Sequence, residues 1–360
     1  MKCFRCECGQ LLFFENSQCV SCGRTLGFLP GPAILSALEP THNGLWKPLH
    51  RAGGGTLRRK CQNYEHHDVC NWMVAESEDV TLCRACRLNQ TIPDLSVPEN
   101  LGYWHRLELA KHRLVYSLVR LGLPLLSKFE DSARGLAFAF LRNPAPHFRE
   151  SSQVVTGHAG GLVTIDLAEA DDVVREKMRL EMNEPYRTLL GHFRHESGHY
   201  YWERLVHPGG LLGPFREIFG DERADYDDAL TRYYSGNPPL NWQDRFVSAY
   251  CTAHPWEDWA ETWAHYLHLV DTMETAQDWG LVEPSSHQGK EKSNVDAYRP
   301  AAFDALMEGW IPLTMAINSI NRSMGLRDLY PFVLSEVVKQ KLAFVHRVIG
   351  ETRDAATADF

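Results

Sequence analysis

The densest chemistry in the sequence is the run Arg194-His195-Glu196-Ser197-Gly198-His199-Tyr200, which contains the pattern His-Glu-x-x-His. Residues four apart on a helix stand one above the other on one face, so two imidazoles can bind one ion while the backbone fixes their separation. Glu196 stands beside them, where its carboxylate can reach a metal-bound water and take the proton as that water attacks a carbonyl. With 17 His among 360 residues, random order produces the pattern roughly 0.06 times. A catalytic zinc also needs a third protein ligand and one open position. The best supplier is Pro255-Trp256-Glu257-Asp258-Trp259-Ala260-Glu261-Thr262-Trp263-Ala264-His265, in which Glu257, Glu261 and His265 recur every four residues. Glu257 is taken as the ligand, and Glu261 as the acceptor that holds one imidazole's free N–H and so fixes its tautomer. The spacing also admits the reverse. Tyr250 and His254, just ahead of this segment, are candidate donors to a developing oxyanion, with Tyr200 and Tyr201 as further candidates.

Two helices must carry these groups. Pro185 opens the first, and Tyr186, Leu189, Leu190 and Phe193 give it an apolar stripe through to Val206. The second runs from Pro255 to about Ala276. Trp202, Trp256, Trp259 and Trp263 are assigned to the core. Further helices are predicted over Leu101–Leu121, Asp171–Met182, Asp221–Tyr234 with Asp221 as its cap, Phe303–Met324 and Phe332–Ile349. Gly135–Leu141 is strand-like, and Val154–Ile165 reads as a hairpin turning on Gly160-Gly161. Gly280–Pro300 is polar and reads as a surface loop. A small sheet followed by many helices is the α+β class.

Nine of the ten cysteines lie in the first 86 residues. In a reducing compartment such close pairs hold metal in preference to forming disulfides. Cys19-x-x-Cys22 followed by Gly23 is a knuckle, whose turn aims backbone N–H groups at the thiolates. Its partner is Cys6-Glu7-Cys8, chosen because Gly9 follows Cys8 as Gly23 follows Cys22, although Cys3-x-x-Cys6 competes. Cys61, Cys70, Cys83 and Cys86 form a second four-sulfur set, in which His66 or His67 could replace one Cys. Four thiolates close the coordination shell, so both sites are structural. Between the two sets, the prolines and glycines from Pro30 to Gly55 read as a loose connector.

Residues 1–90 carry 10 basic and 8 acidic side chains, against 27 and 38 in the remainder. That balance argues against a broad nucleic-acid footprint, and Arg58-Arg59-Lys60 reads as a solvated cluster. There is no apolar run long enough to cross a membrane, and Met1–Gln10 lacks a secretory signal's apolar stretch, so the expected location is the cytoplasm.

The runs Gly191-His192-Phe193-Arg194-His195-Glu196-Ser197-Gly198-His199-Tyr200-Tyr201-Trp202, Phe219-Gly220-Asp221-Glu222-Arg223-Ala224-Asp225-Tyr226 and His254 to His265 resemble the bacterial zinc-binding metallopeptidases with an N-terminal zinc ribbon. The ribbon likeness lies in Phe13-Phe14-Glu15-Asn16, Cys19, Cys22 and Leu26-Gly27-Phe28-Leu29-Pro30. More distantly, Glu257-x-x-Ala260-Glu261 is similar to the third-ligand helix of gluzincins. That similarity implies Glu257 as ligand and Glu261 behind it. In the anthrax lethal factor type a tyrosine seven residues before the ligand stabilises the transition state, which places Tyr250 first among the donors. The expected layout is two Cys-rich zinc-ribbon-like sites over residues 1–95, a mainly helical zincin-like metallopeptidase domain with a small sheet over 96–352, and a disordered tail at 353–360. One catalytic and two structural zinc ions are expected, with a peptide or protein as substrate; the resemblance itself implies a zinc-peptidase architecture. The alternative is a catalytically silent scaffold whose ribbons contact protein or nucleic acid. The presence of Glu196 argues for hydrolysis, since a purely structural site has no use for a general base.

Overall fold

The computed structural model of the protein describes residues 1–142, 157–181, 184–236, 238–282, 296–299 and 302–358. By packing, the chain divides into two compact units, one of Met1–Arg120 with Pro124–Met182 and the other of Leu121–Leu123 with Asn183–Phe360. Strands dominate the start of the chain and helices the rest, in keeping with the α+β class.

In the first unit, β1 (Phe4–Arg5) and β2 (Leu11–Leu12) form a short antiparallel ribbon. A five-stranded antiparallel sheet follows in chain order: β3 (Leu26–Leu29), β4 (Ile34–Pro40), β5 (Trp46–Pro48), β6 (Arg58–Lys60) and β7 (Met73–Ala75). The short helix α1 (Gln62–His67) joins the last two strands. This sheet occupies the stretch expected to be a loose connector. Its strands are too short to show a period of two, and Ile34–Leu38 is buried on both faces, so no alternation marks it. Next come β8 (Asn89–Thr91), α2 (Pro98–Arg120), β9 (Ala137–Leu141), β10 (Gly157–Ala159), β11 (Leu162–Asp166) and α3 (Asp172–Glu181). The second sheet has the order β10-β11-β9-β8, with β8 and β11 parallel to β9 and β10 antiparallel to β11. The expected hairpin is β10–β11, and it turns on Gly160 and Gly161 at φ 52° and 85°, angles that glycine adopts without strain. Val154–Thr156 lie outside the described residues. The aromatic core of this unit is Phe14, Phe28, Trp72 and Tyr116, with Phe14 and Phe28 edge to face at 5.0 Å.

The second unit is helical: α4 (Leu189–Tyr201), α5 (Leu212–Phe219), α6 (Tyr226–Ser235), α7 (Pro255–Asp278), α8 (Phe303–Ser323) and α9 (Glu336–Ala358). Thr188 starts α4, its Oγ1 accepting from Gly191 N at 2.9 Å, and a π-helical turn, Trp202–Val206, continues it. Helix α6 is capped by Asp225, not by Asp221, because the Asp221 carboxylate is already bonded to the backbone and guanidinium of Arg223. Helix α9 begins at Glu336, after Pro331 and Phe332, and continues to Ala358 through most of the expected tail. Of the predicted polar loop Gly280–Pro300, residues 283–295 and 300 lie outside the described residues. Trp259 and Trp263 are fully enclosed, Tyr201 stacks on Trp263 at 5.0 Å, and Phe215, Phe219 and Phe344 close the core around Trp259. No helix among the described residues is long and apolar enough to cross a membrane.

Candidate metal centre

Helices α4 and α7 pack face to face, and the residues between the two histidines make the contact. Trp259 Nε1 donates to Gly198 O at 2.8 Å, and Trp263 Nε1 to Ser197 Oγ at 3.1 Å. On the next turn, the buried Arg194 donates to Asp271 Oδ2 at 2.5 Å, and Tyr298 donates to the other oxygen of that carboxylate. These bonds leave α4 little freedom to slide or rotate on α7.

That packing brings His195, His199 and Glu257 together. His195 Nε2 lies 3.2 Å from His199 Nε2 and 3.0 Å from Glu257 Oε2, and His199 Nε2 lies 3.5 Å from Glu257 Oε1. Ligands about 2.0–2.1 Å from a tetrahedral zinc stand about 3.3 Å apart, and these contacts, which reach Glu257 through a different oxygen from each histidine, lie near that spacing. Behind His195, Glu261 Oε1 accepts from Nδ1–H at 2.8 Å, so that Nε2 is the nitrogen turned toward Glu257. Burial opposes charge on His195, but hydrogen bonds to Glu257 and Glu261 outweigh it and raise the imidazole well above its ordinary range. Glu257 is held well below the carboxylate range despite burial, by the charges and hydrogen bonds of the two histidines.

Glu196 is buried beside this triangle. Its Oε1 accepts from His192 Nε2 at 3.2 Å, while Oε2 is buried without a hydrogen-bond partner. Desolvation opposes ionisation, but His192 and the nearby His195 and His199 hold the carboxyl at about 2. An ionised carboxylate with one free oxygen is the form a general base requires.

The eight cysteines fall into the two expected sets. Cys6 and Cys22 Sγ are 3.7 Å apart, as are Cys8 and Cys19, and Cys70 and Cys83 are 3.8 Å apart. With zinc–sulfur bonds of about 2.3 Å a tetrahedral edge is about 3.8 Å, so both sets fit a four-thiolate shell. Backbone hydrogen bonds at the knuckles lower the thiols of Cys8 and Cys22, the latter to about 6, through Gln10 and Arg24 respectively. Cys3 is not in the first set, and His66 and His67 are not in the second. The imidazole beside the second set is instead His112 of α2, whose Nε2 lies 3.3 Å from Cys70 Sγ and whose Nδ1 donates to Glu108 O at 2.7 Å. Glu108, fully enclosed, pairs with Lys111 at 2.9 Å and accepts from Trp104 and Asn89.

Residues 100–348 match the protein family described as "Putative zinc-binding metallo-peptidase", and residues 3–97 match a zinc-ribbon domain. The chain belongs to that metallopeptidase family. It resembles two proteins named only as uncharacterized, one of Mycobacterium bovis and one of Mycobacterium tuberculosis. Each is 44% identical over 354 residues, covering 98% of this chain and 96% of the relative. No solved structure matches it.

Among the remaining sequence candidates in this family member, Tyr250 lies with its ring 6.0 Å from that of His195. Burial and the charge of Glu257 push its phenol up, so it stays protonated and able to donate. His254 has a different place. Its Nδ1 accepts from Trp256 N at 3.1 Å as the cap of α7, and its Nε2–H donates to Ala224 O at 3.1 Å, so both ring nitrogens are committed to backbone. Tyr200 and Tyr201 are enclosed in the core. His265 turns from the metal face toward Tyr330, at 2.8 Å. Two site residues had no assigned role in the sequence reading: His192, one turn before Glu196, and Tyr226, whose hydroxyl donates to Glu257 Oε1 at 2.6 Å. The only signal for either was its presence in the runs that carry the family resemblance.

Proposed function

We propose that the protein is a zinc-dependent peptidase in which His195, His199 and Glu257 hold the catalytic ion. The observation that carries this reading is the triangle of three donors at 3.0–3.5 Å with the free oxygen of Glu196 beside it. When bound, zinc supplies a Lewis acid that polarises the scissile carbonyl and makes a water acidic. Glu196 takes the proton from the attacking water through Oε2 and returns it to the amine nitrogen as the C–N bond breaks. Glu261 keeps Nδ1 of His195 protonated and its Nε2 available. Tyr250 donates to the carbonyl oxygen as negative charge builds on it, a contribution of about 3 kcal/mol for one such donor. Residues 96–352 form the catalytic part in this reading. Residues 1–95 hold two structural ions through Cys6, Cys8, Cys19 and Cys22 and through Cys61, Cys70, Cys83 and Cys86. The cytoplasm is the compartment in which these thiols stay reduced, and the ribbons offer a surface to a protein partner.

Elemental analysis tests the proposal directly. The wild type is expected to carry three zinc ions per chain and the His195→Ala, His199→Ala double variant two. Glu196→Gln keeps all three and loses hydrolysis of a peptide library by at least a hundredfold. Two ions in both proteins, or undiminished turnover by Glu196→Gln, overturns it.

A further inference from the structure

The carboxylate of Glu257 is asymmetric. Its Oε1 receives the hydroxyl of Tyr226 at 2.6 Å and stands 3.5 Å from His199 Nε2, whereas its Oε2 receives no hydroxyl and stands 3.0 Å from His195 Nε2. A glutamate at the start of a helix can otherwise turn about its last side-chain bond and present either oxygen. A short hydrogen bond to one oxygen removes that choice. Tyr226 is itself well fixed. It is the first residue of α6, directly after the Asp225 cap whose Oδ1 accepts from Asp228 N at 2.9 Å. Its ring meets the edges of His254 at 5.2 Å and Trp256 at 6.2 Å. His254 in turn donates to Ala224 O, two residues before Tyr226, and caps α7 three residues before Glu257. The hydroxyl and the carboxylate are therefore held to each other by backbone as well as by their own bond.

We infer that Tyr226 is a positioning residue of the metal centre: it occupies Oε1 of Glu257 so that Oε2 is the oxygen presented to the ion. The inference rests on the zinc reading above. It separates two tyrosines by task, since Tyr250 lies against His195 and, in the peptidase reading, donates to the carbonyl oxygen. Partners of this kind commonly change metal affinity by 10–100-fold when removed.

The test uses the full-length, zinc-loaded protein. Tyr226→Phe deletes one hydroxyl and keeps the ring contacts. Competition with a chromophoric chelator is expected to show the His195- and His199-dependent zinc held 10–100-fold more weakly, with both cysteine-bound ions retained. Tyr250→Phe is expected to leave zinc affinity unchanged. With cobalt in the catalytic site and zinc in the ribbons, Tyr226→Phe should also alter the ligand-field bands, because the second carboxylate oxygen becomes free to bind. In a Glu257→Gln background, Tyr226→Phe should add little further loss. Zinc affinity within twofold of wild type, or an equal loss from Tyr250→Phe, overturns the inference and leaves the peptidase reading standing. A wild type with no zinc dependent on His195 and His199 overturns both.

Discussion

Gly198 of α4 and Ala260 of α7 lie so close that a Cβ on Gly198 would stand 2.9 Å from Ala260 Cα and 3.2 Å from Trp263 Cβ. Both obstacles are parts of a packed helix, so neither can swing away as a flexible side-chain end would. The glycine inside His195-Glu196-Ser197-Gly198-His199 thus answers to packing and not to backbone conformation.

Gly198→Ala is expected to destabilise the protein. Overpacking costs about 1–3 kcal/mol, against roughly 1 kcal/mol that alanine gains over glycine in a helix. Gly102, in α2 with open space around it, is the opposite case, and Gly102→Ala should stabilise by up to about 1 kcal/mol. Denaturant unfolding of the two variants beside wild type gives the two signs, and equal signs would remove the argument.

The buried imidazole of His265 makes stability depend on pH. Desolvation depresses it from 6.5 to about 4 in the folded protein. Between those values the unfolded chain binds a proton that the folded chain does not, so stability is complete above about pH 6.5 and falls as pH drops toward 4. The full loss is about 3 kcal/mol. Unfolding midpoints from pH 4.5 to 8 should therefore slope less in His265→Gln than in wild type. An unchanged slope would show that other groups set the acid limb.

The two cysteine sets should lose metal in a fixed order. Cys8 and Cys22 are exposed, whereas Cys61, Cys70, Cys83 and Cys86 are all buried. An alkylating reagent reaches exposed thiolates first. Mass spectrometry during alkylation should show Cys8 and Cys22 modified, with one zinc released, before any label appears on the second set. Simultaneous loss from both sets would contradict this.

What the sequence made legible follows from the range over which each signal acts. His195, Glu196 and His199 were readable because helical spacing alone places them. Glu257 and Glu261 were not separable by spacing, since both stand on one face of α7 a turn apart. Only the crossing of α4 over α7, held by Gly198, Trp259 and Trp263, sets Glu257 against Nε2 of both histidines and Glu261 against Nδ1 of His195. Tyr226 was hidden for the same reason, because its bond to Glu257 exists only once α6 lies against the start of α7. His254, expected among the donors, obeys a local rule instead and caps its helix. The short strands from Leu26 to Ala75 carried no periodicity, and their partners, not their composition, make them a sheet.

The residues of the proposed metal centre are far apart in the chain: roughly 60 residues separate His199 from Glu257. An ion that joins them also closes a loop, and a loop of that size removes about 4 kcal/mol of freedom from the unfolded chain if it acts as a covalent tie does. The cysteine sets enclose much shorter loops, of roughly 10 to 13 residues between knuckles. Metal starvation would then loosen the helical unit as a whole, lengthening the segment open to proteases, and would limit the lifetime of the protein as well as its chemistry.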